Sequence, residues 1–245
     1  MSDGFPLTGE PFRADPYTFY REARERTPLL QGRSAAGEFW LLFRYEDVAA
    51  VLRHPAASVD RAFQPKPVAP DPREDPDALH PLARALRVFS RVMLFRDPPD
   101  HTRLRGLVSK AFTPRRVDAL RPRVEQRVGA LLDAKAEQGG FDLIADFAAP
   151  LPLLVIAELL GVPTDDYRTL KRWTGDLAIM LDGTVALQFL PRAIAAAMQM
   201  IAFLRDVVRA RRREPRDDLI SALVAAQEGG SGLTEDEILA TILIL

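Results

Sequence analysis

A histidine and an arginine four residues apart, His101 and Arg105, are the side chains of this sequence best suited to binding chemistry. In a helix, residues with this spacing project from one face. A guanidinium beside an imidazole on one face favours an anion as the ligand. The alternative is that both are ordinary polar residues of a first helical turn, with Arg105 paired to Asp100 or Glu125.

The residues around this pair predict the helix that positions it. Asp97 is a residue type typical of an N-cap, and Pro98 suits the first helical position, where its missing N–H costs nothing. Asp100 adds negative charge in the first turn, which the helix dipole favours. Four apolar residues follow at helical spacing and predict the buried face: Leu104, Leu107, Val108 and Ala111. His101 and Arg105 then lie at the edge of that face.

Two segments resemble the bacterial cytochromes P-450, which are haem-thiolate monooxygenases. The segment DPPDHTRLR at 97–105, followed by VSKAFTPRRV at 108–117, is similar to the C-helix region of that family. The segment LTEDEILATILIL at 233–245 is similar to the start of the family's I helix. The resemblance implies that His101 and Arg105 hold a haem propionate, and it gives Arg103 no such role.

The same resemblance implies further contacts. It makes Val92, Met93 and Leu94 neighbours of the haem. It makes Met180, Leu181 and Val185 neighbours of the substrate, because they lie in or between the two helices that correspond to the family's substrate roof. Five arginines after the C-helix region are a candidate docking surface for a small acidic electron donor: Arg115, Arg116, Arg121, Arg123 and Arg127. For such a run of charge, the alternative is a solvated helix face.

The sequence contains no cysteine, whereas haem iron in this family needs an axial thiolate. The resemblance covers the N-terminal half to two-thirds of the family's fold, and it stops at the start of the I helix. We therefore expect the N-terminal portion of a monooxygenase, as a fragment or truncated reading. The complete enzyme would hydroxylate or epoxidise an apolar organic substrate with O2, haem b and electrons from a ferredoxin-type partner. The 245 residues alone are not expected to turn over.

Two alternatives remain open. One is a non-catalytic P-450-like protein that lacks the haem cysteine and acts as the auxiliary partner of another enzyme, such as a glycosyltransferase. The other is an unrelated all-helical ligand-binding or regulatory module. The second alternative is disfavoured because both similar segments would then be coincidences.

Composition excludes several classes of function. Hydrophobic residues make up 47% and charged residues 27% of the chain, with a net charge of −1, so nucleic acid is not an expected partner. The three histidines show no metal-ligand spacing. The N-terminus lacks the apolar region of a signal peptide. The apolar run at 147–161 is interrupted by prolines and is too short to span a bilayer. A cytoplasmic location without membrane attachment is the default expectation.

Periodicity and helix breakers predict a mainly α fold with a small β-hairpin near the N-terminus, as a single region over residues 1–245. The hairpin pairs 28–33 with 38–43, and its second strand is predicted to be buried. A brief helix at 46–53 is predicted to turn Val48, Val51 and Leu52 inward. The Pro-rich segment 59–81 predicts a long loop. Further helices are predicted at 17–26, in part of 84–94, at 114–135 with a restart at Pro122, and at 141–160, 164–182, 192–213, 217–223 and 235–245. Four of these helices have a predicted N-cap, at Asp15, Thr113, Thr164 and Thr234, and Thr234 forms a predicted capping box with Glu237. The last is apolar on all sides, which is typical of the middle of a larger protein.

Overall fold

A computed structural model describes residues 10–34, 37–60, 81–163, 167–181, 189–226 and 232–245. The chain divides into two compact units, Met1–Ser58 and Val59–Leu245, and each is described by itself. The fold is mainly helical, with a two-stranded antiparallel sheet near the N-terminus, as the sequence predicts. The assignment of residues 1–245 to one region without separate domains stays a prediction.

The first unit contains short helices around the hairpin. Its elements are α1 (Glu10–Ala14), α2 (Pro16–Arg26), β1 (Leu29–Ser34), β2 (Gly37–Leu42) and α3 (Tyr45–Arg53). The carboxylate of Asp15 accepts a hydrogen bond from the Thr18 amide at 3.2 Å, and Pro16 occupies the first turn of α2. The two strands pair with Leu30 opposite Leu41. The predicted hairpin and both predicted helices of this unit are therefore confirmed.

The predicted burial in this unit is wrong. Trp40 on β2 is 55% exposed and Leu52 on α3 is 79% exposed, and Val48 and Val51 are also exposed. Strand side chains alternate between two faces, so a two-stranded sheet cannot bury all of a continuous apolar strand. The apolar contacts of the unit come instead from rings that meet edge to face around Phe19, which lies 6.1 Å from Phe43 between ring centroids.

The second unit is a set of helices. In chain order they are α4 (Pro81–Phe89), α5 (Asp100–Ala111), α6 (Pro114–Asp118), α7 (Arg121–Asp133), α8 (Pro150–Leu160), α9 (Tyr167–Leu181), α10 (Leu190–Arg213), α11 (Leu219–Ala225) and α12 (Glu235–Ile244). Two 3-10 turns, Met93–Phe95 and Ala136–Gln138, and a π-helical segment, Leu143–Ala148, join them. The restart at Pro122 is confirmed, because α6 ends at Asp118 and α7 begins at Arg121. The predicted Thr164 cap and most of the predicted 59–81 loop lie outside the described residues.

The core of this unit surrounds α10, which packs against α4, α9, α11 and α12. Its fully buried side chains include Val88, Ile201, Leu204, Leu223 and Ile238. Full burial of one such side chain contributes about 1.5–3 kcal/mol to folding. The middle of α12 is buried from Ile238 to Ile242, so its apolar sequence is explained by its position in the core.

The predicted helix at 141–160 is divided in two, and its first half is not core. Ile144 is 67% exposed and Leu143 is also exposed, whereas Leu159 and Leu160 are buried. Proline has no amide hydrogen, so Pro150 and Pro152 interrupt the helical hydrogen-bond ladder. By length and composition alone, the 18 residues Leu143–Leu160, with a mean hydropathy of 2.0, could cross a membrane. Core helices of soluble proteins meet the same criterion.

A buried corner fixes the ends of α8, α10 and α11. Arg211 donates to Asp218 Oδ2 at 2.5 Å and to the Gly161 carbonyl oxygen at 2.6 Å. The other Asp218 oxygen caps α11 by accepting from the Ser221 amide at 2.8 Å. Gly161 has a φ of 74°, and a Cβ there would collide with the Asp218 carboxylate. Glycine is therefore required at this helix end by both conformation and space.

Candidate functional site

Helix α5 carries the predicted pair, but Asp97 does not cap it. The helix begins at Asp100, and Pro99 precedes it without a side-chain cap. The Asp97 carboxylate accepts from the Val59 amide at 3.2 Å, and the Asp97 amide donates to Asp60 Oδ1 at 2.9 Å. The predicted N-cap is thus wrong, because Asp97 is bound to the segment that precedes α4. The predicted acidic first turn is confirmed by Asp100.

The predicted apolar face of α5 is confirmed. Leu104 and Ala111 are buried, and Leu107 and Val108 pack against the same core from partly buried positions. This face contacts α11 and the turn Met93–Phe95. This apolar face therefore attaches the helix to the core.

By helical spacing, His101 and Arg105 lie at the edge of that apolar face, beside Leu104 and Val108. His101 is partly exposed and Arg105 is exposed. Within the described part of the chain, neither side chain has a hydrogen bond or ion pair. The alternative pairing of Arg105 with Asp100 is not formed, since Asp100 binds Arg96 and has Arg103 at 3.9 Å. The hydrogen bond from Arg96 holds the pKa of the Asp100 carboxyl below its usual range.

Arg103 has the opposite environment. It donates to the carboxylate of Glu237 in the first turn of α12. That hydrogen bond raises the pKa of the Arg103 guanidinium above its usual value. Burial opposes ionisation of Glu237, but the hydrogen bonds from Arg103 and Thr234 outweigh it and lower the pKa of its carboxyl. Both groups therefore stay charged, and the pair joins α5 to α12.

The sequence predicted a capping box at the start of α12 but not these ion pairs. The box is confirmed, with Thr234 Oγ1 accepting from the Glu237 amide at 3.3 Å and Glu237 Oε2 accepting from the Thr234 amide at 2.8 Å. The missed feature is that three consecutive acids here bind arginines on three helices. The available signal was the acidic run Glu235-Asp236-Glu237 itself, which does not reveal partners more than 130 residues earlier in the chain.

The other predicted haem neighbours have mixed environments. Val92 is 1% exposed and belongs to the core, Met93 is partly buried and Leu94 is exposed. The predicted substrate neighbours are not described to the same extent. Met180 and Leu181 end α9, but their side chains lie outside the described residues, as does the whole of Val185. The ligand roles of both groups stay predictions.

The arginines that follow α5 are partly engaged in ion pairs. Arg116 donates to the Asp218 carbonyl oxygen at 3.1 Å, and Arg123 and Arg127 lie 3.7 and 3.4 Å from Glu158. Among the described residues, Arg115 and Arg121 are exposed and form no ion pair. A docking surface for an acidic protein would therefore rely first on these two.

An apolar cavity of about 240 Å³ lies elsewhere in this unit. Leu153, Leu170, Met200 and Ile242 are among its lining residues, which come from α8, α9, α10 and α12. No residue of α5 contributes to this lining within the described ranges. The cavity is thus separate from the face that carries His101 and Arg105.

Comparisons with known proteins identify the relatives of the chain, although no family model matches it. It is 38% identical over 241 residues to 6-deoxyerythronolide B hydroxylase of Saccharopolyspora erythraea, covering 98% of this chain and 57% of that protein. It is 40% identical over 224 residues to the mycinamicin IV hydroxylase/epoxidase of Micromonospora griseorubida, covering 90% and 51%.

Solved structures agree with the sequence comparison. The crystal structure of P450BioI in complex with hexadec-9Z-enoic acid ligated acyl carrier protein matches with a TM-score of 0.78 and 32% identity. That match covers 96% of this chain and 57% of the solved one. The chain therefore spans somewhat more than half the length of the relatives it matches.

Proposed function

The chain belongs to the cytochrome P450 family, as an N-terminal portion of its fold, and on this premise we propose that it forms part of a bacterial haem monooxygenase. The complete enzyme inserts one oxygen atom of O2 into an apolar organic substrate, by hydroxylation or epoxidation. The names of two relatives, a hydroxylase and a hydroxylase/epoxidase, support this class of reaction.

The observation that carries the proposal is the edge of α5 formed by His101 and Arg105, whose side chains form no hydrogen bond or ion pair with any residue that the structure describes. Arg105 is exposed, and His101 is four residues away on the same helix. A planar guanidinium binds a carboxylate through two parallel hydrogen bonds, and an imidazole adds a third donor. These two residues hold the propionates and so orient the edge of the porphyrin on α5. Haem b, when bound, supplies the iron that activates oxygen.

The residues of this chain fit haem only at its propionate groups. The sequence contains no cysteine, so none of its residues supplies the axial thiolate. Among the described residues there is also no group of His, Cys, Asp and Glu that could hold a metal ion. In the reaction, these residues bind and orient the haem. Leu94 is exposed in the turn that contacts α5, and we propose that it contacts the haem and that Val92 and Met93 support it.

Electrons reach the complete enzyme from a ferredoxin-type donor that docks on the surface after α5. The exposed side chains of Arg115 and Arg121 suit an acidic partner, because complementary charge steers association. Met180, Leu181 and Val185 are proposed to contact the substrate.

One observation favours a second function. A chain without cysteine has the composition expected of a non-catalytic P450-like auxiliary protein that partners another enzyme, such as a glycosyltransferase. Stable folding without haem-specific binding, together with a complex with a glycosyltransferase, would support this function over the first.

The test is a titration of the 245-residue chain with haemin, and in parallel with haemin dimethyl ester, which has no free carboxylates. We expect haemin to bind more tightly than its ester. Arg105→Ala should weaken haemin binding roughly tenfold to a hundredfold, since a hydrogen bond to a charged group contributes about 1.5–3 kcal/mol. Binding of the ester should not change.

Lys110→Ala is the matched control, because Lys110 is an exposed cation on the same helix. It should leave both affinities unchanged. Equal affinity of the unmodified chain for haemin and its ester would contradict the proposed role of His101 and Arg105.

A further inference from the structure

The first turn of α12 connects three other helices through three consecutive acids. Glu235 accepts from Arg205 on α10 at 2.9 Å, and Asp236 lies 2.7 Å from Arg87 on α4. Glu237 accepts from Arg103 on α5. Only the last of these pairs reaches the helix that carries His101 and Arg105.

Glu237 is held more firmly than its neighbours. It is 4% exposed, and its carboxylate binds both Arg103 and the Thr234 amide. Its main chain is fixed as well, because its amide donates to Thr234 Oγ1 and its carbonyl oxygen accepts from Thr241 Oγ1 at 2.7 Å. The Glu237 carboxylate is therefore a fixed point against which a partner helix can be oriented.

Arg103 is the residue of α5 that binds the Glu237 carboxylate, and its place on the helix determines which way His101 and Arg105 face. It lies two residues from His101 and two from Arg105, and each residue of an α-helix advances about 100° around the axis. Binding Arg103 to α12 therefore directs His101 and Arg105 about 160° away from that contact around the helix axis. The core contacts of α5 through Leu104 and Ala111 are apolar, and apolar contacts do not fix direction. Its first-turn Asp100 binds Arg96, which lies just before the helix in the chain.

We propose that Arg103 and Glu237 are a positioning pair that sets the rotation of α5, so that His101 and Arg105 face outward together as one anion-binding site. The pair joins the buried Glu237 carboxylate to a partly exposed Arg103, and such a pair contributes little net stability but favours one arrangement of the two helices over others. The ligand part of this inference rests on the proposed function, whereas the rotation of α5 does not.

The experiment compares Glu237→Gln with Asp236→Asn. Both substitutions neutralise one acid of the same turn, but the partner of Asp236 is on α4. We expect Glu237→Gln to lower the ratio of haemin to haemin dimethyl ester affinity roughly tenfold, as loss of an outer supporting contact does. Asp236→Asn should leave the ratio unchanged. Amide hydrogen exchange should become faster along α5 in Glu237→Gln only.

Arg103→Gln tests the pair from its other side and leaves the capping box intact. It should reproduce the effect of Glu237→Gln, and Arg103→Lys should restore part of the affinity ratio because it keeps the charge. Equal loss of the ratio in Asp236→Asn would overturn the inference, as would unchanged α5 exchange in both Glu237→Gln and Arg103→Gln.

The outcomes also separate this inference from the proposed function. If the unmodified chain does not prefer haemin to its ester, the proposed function fails at its carboxylate contact. The exchange pattern of α5 then decides the positioning role alone.

Discussion

Two arginines on the same helix, two residues apart, have opposite environments. Arg103 is bound to Glu237 on α12, whereas Arg105 has no ion pair among the residues that the structure describes. Pairing is the common state of arginine in the second unit, as Arg87, Arg96 and Arg211 show. The difference distinguishes charges that hold helices together from charges that are open to a ligand.

The buried corner around Asp218 is the clearest case of charges that hold helices together. Its carboxylate and the Arg211 guanidinium are both buried, and all their partners belong to α8, α10, α11 or the residues that follow these helices. If the distinction is correct, substitutions at paired charges change stability, and substitutions on the outer face of α5 change ligand binding.

The largest effect is expected from Asp218→Asn. It removes the charge opposite a buried guanidinium, which should lower the free energy of unfolding by about 3–5 kcal/mol, measured by urea denaturation. Asp217→Asn is the matched control, because Asp217 is the adjacent residue and its side chain is 97% exposed. A control that costs as much as Asp218→Asn would remove the distinction between the two sites.

A fall in pH is expected to have an intermediate effect on the free energy of unfolding. Burial opposes ionisation of Glu235, but hydrogen bonds from Arg205 and Arg212 outweigh it and hold the pKa of its carboxyl below the ordinary 4.5, as for Glu237. These groups bind protons more weakly in the folded than in the unfolded chain. Their stabilisation is therefore complete above pH 4.5 and is lost as the pH falls through the lowered folded pKa values.

Denaturation at a series of pH values tests this. Glu237→Gln should show a shallower loss of stability below pH 4.5 than the unmodified chain. Glu125→Gln, at an exposed position of α7, should retain the steeper profile. Identical profiles for the unmodified chain and Glu237→Gln would show that the α12 pairs do not contribute to acid sensitivity.

The smallest effect on stability is expected on the outer face of α5. His101→Gln and Arg105→Gln should each change the free energy of unfolding by less than about 0.5 kcal/mol, because neither side chain has a partner to lose within the described residues. Arg103→Gln should lower it by about 1–3 kcal/mol, since it removes the charged donor to Oε1 of the buried Glu237 carboxylate and leaves only the Thr234 amide on Oε2. A loss for Arg105→Gln as large as that for Arg103→Gln would place Arg105 among the structural charges.

Local features of this fold were predictable from the sequence. Capping signals at Asp15, Thr113 and Thr234 correctly indicated helix starts, because a cap and its amide partner lie within a few residues. The apolar stripe from Leu104 to Ala111 indicated the buried face of α5, because helical periodicity is also a property of residues that are close together in the sequence. Two short segments were also enough to predict the similarity of the whole chain to the P450 family.

Features that depend on distant residues were not predictable. The Asp97 carboxylate binds the Val59 amide, 38 residues earlier, instead of capping α5. The exposure of Trp40 follows from a sheet of only two strands, which the apolar pattern of one strand does not reveal. His101 and Arg105 were predicted from their spacing and from the resemblance, whereas the contact of Arg103 with Glu237 could be seen only in the three-dimensional arrangement.

The long sequence separation of the α12 contacts has a consequence for biosynthesis. Arg103 meets its partner 134 residues later, and Arg87 meets Asp236 149 residues later. If Arg103 and Glu237 position α5 as proposed, the rotation of this helix is set only once α12 has been translated and has docked. Until then, the nascent polypeptide presents His101 and Arg105 in no fixed direction.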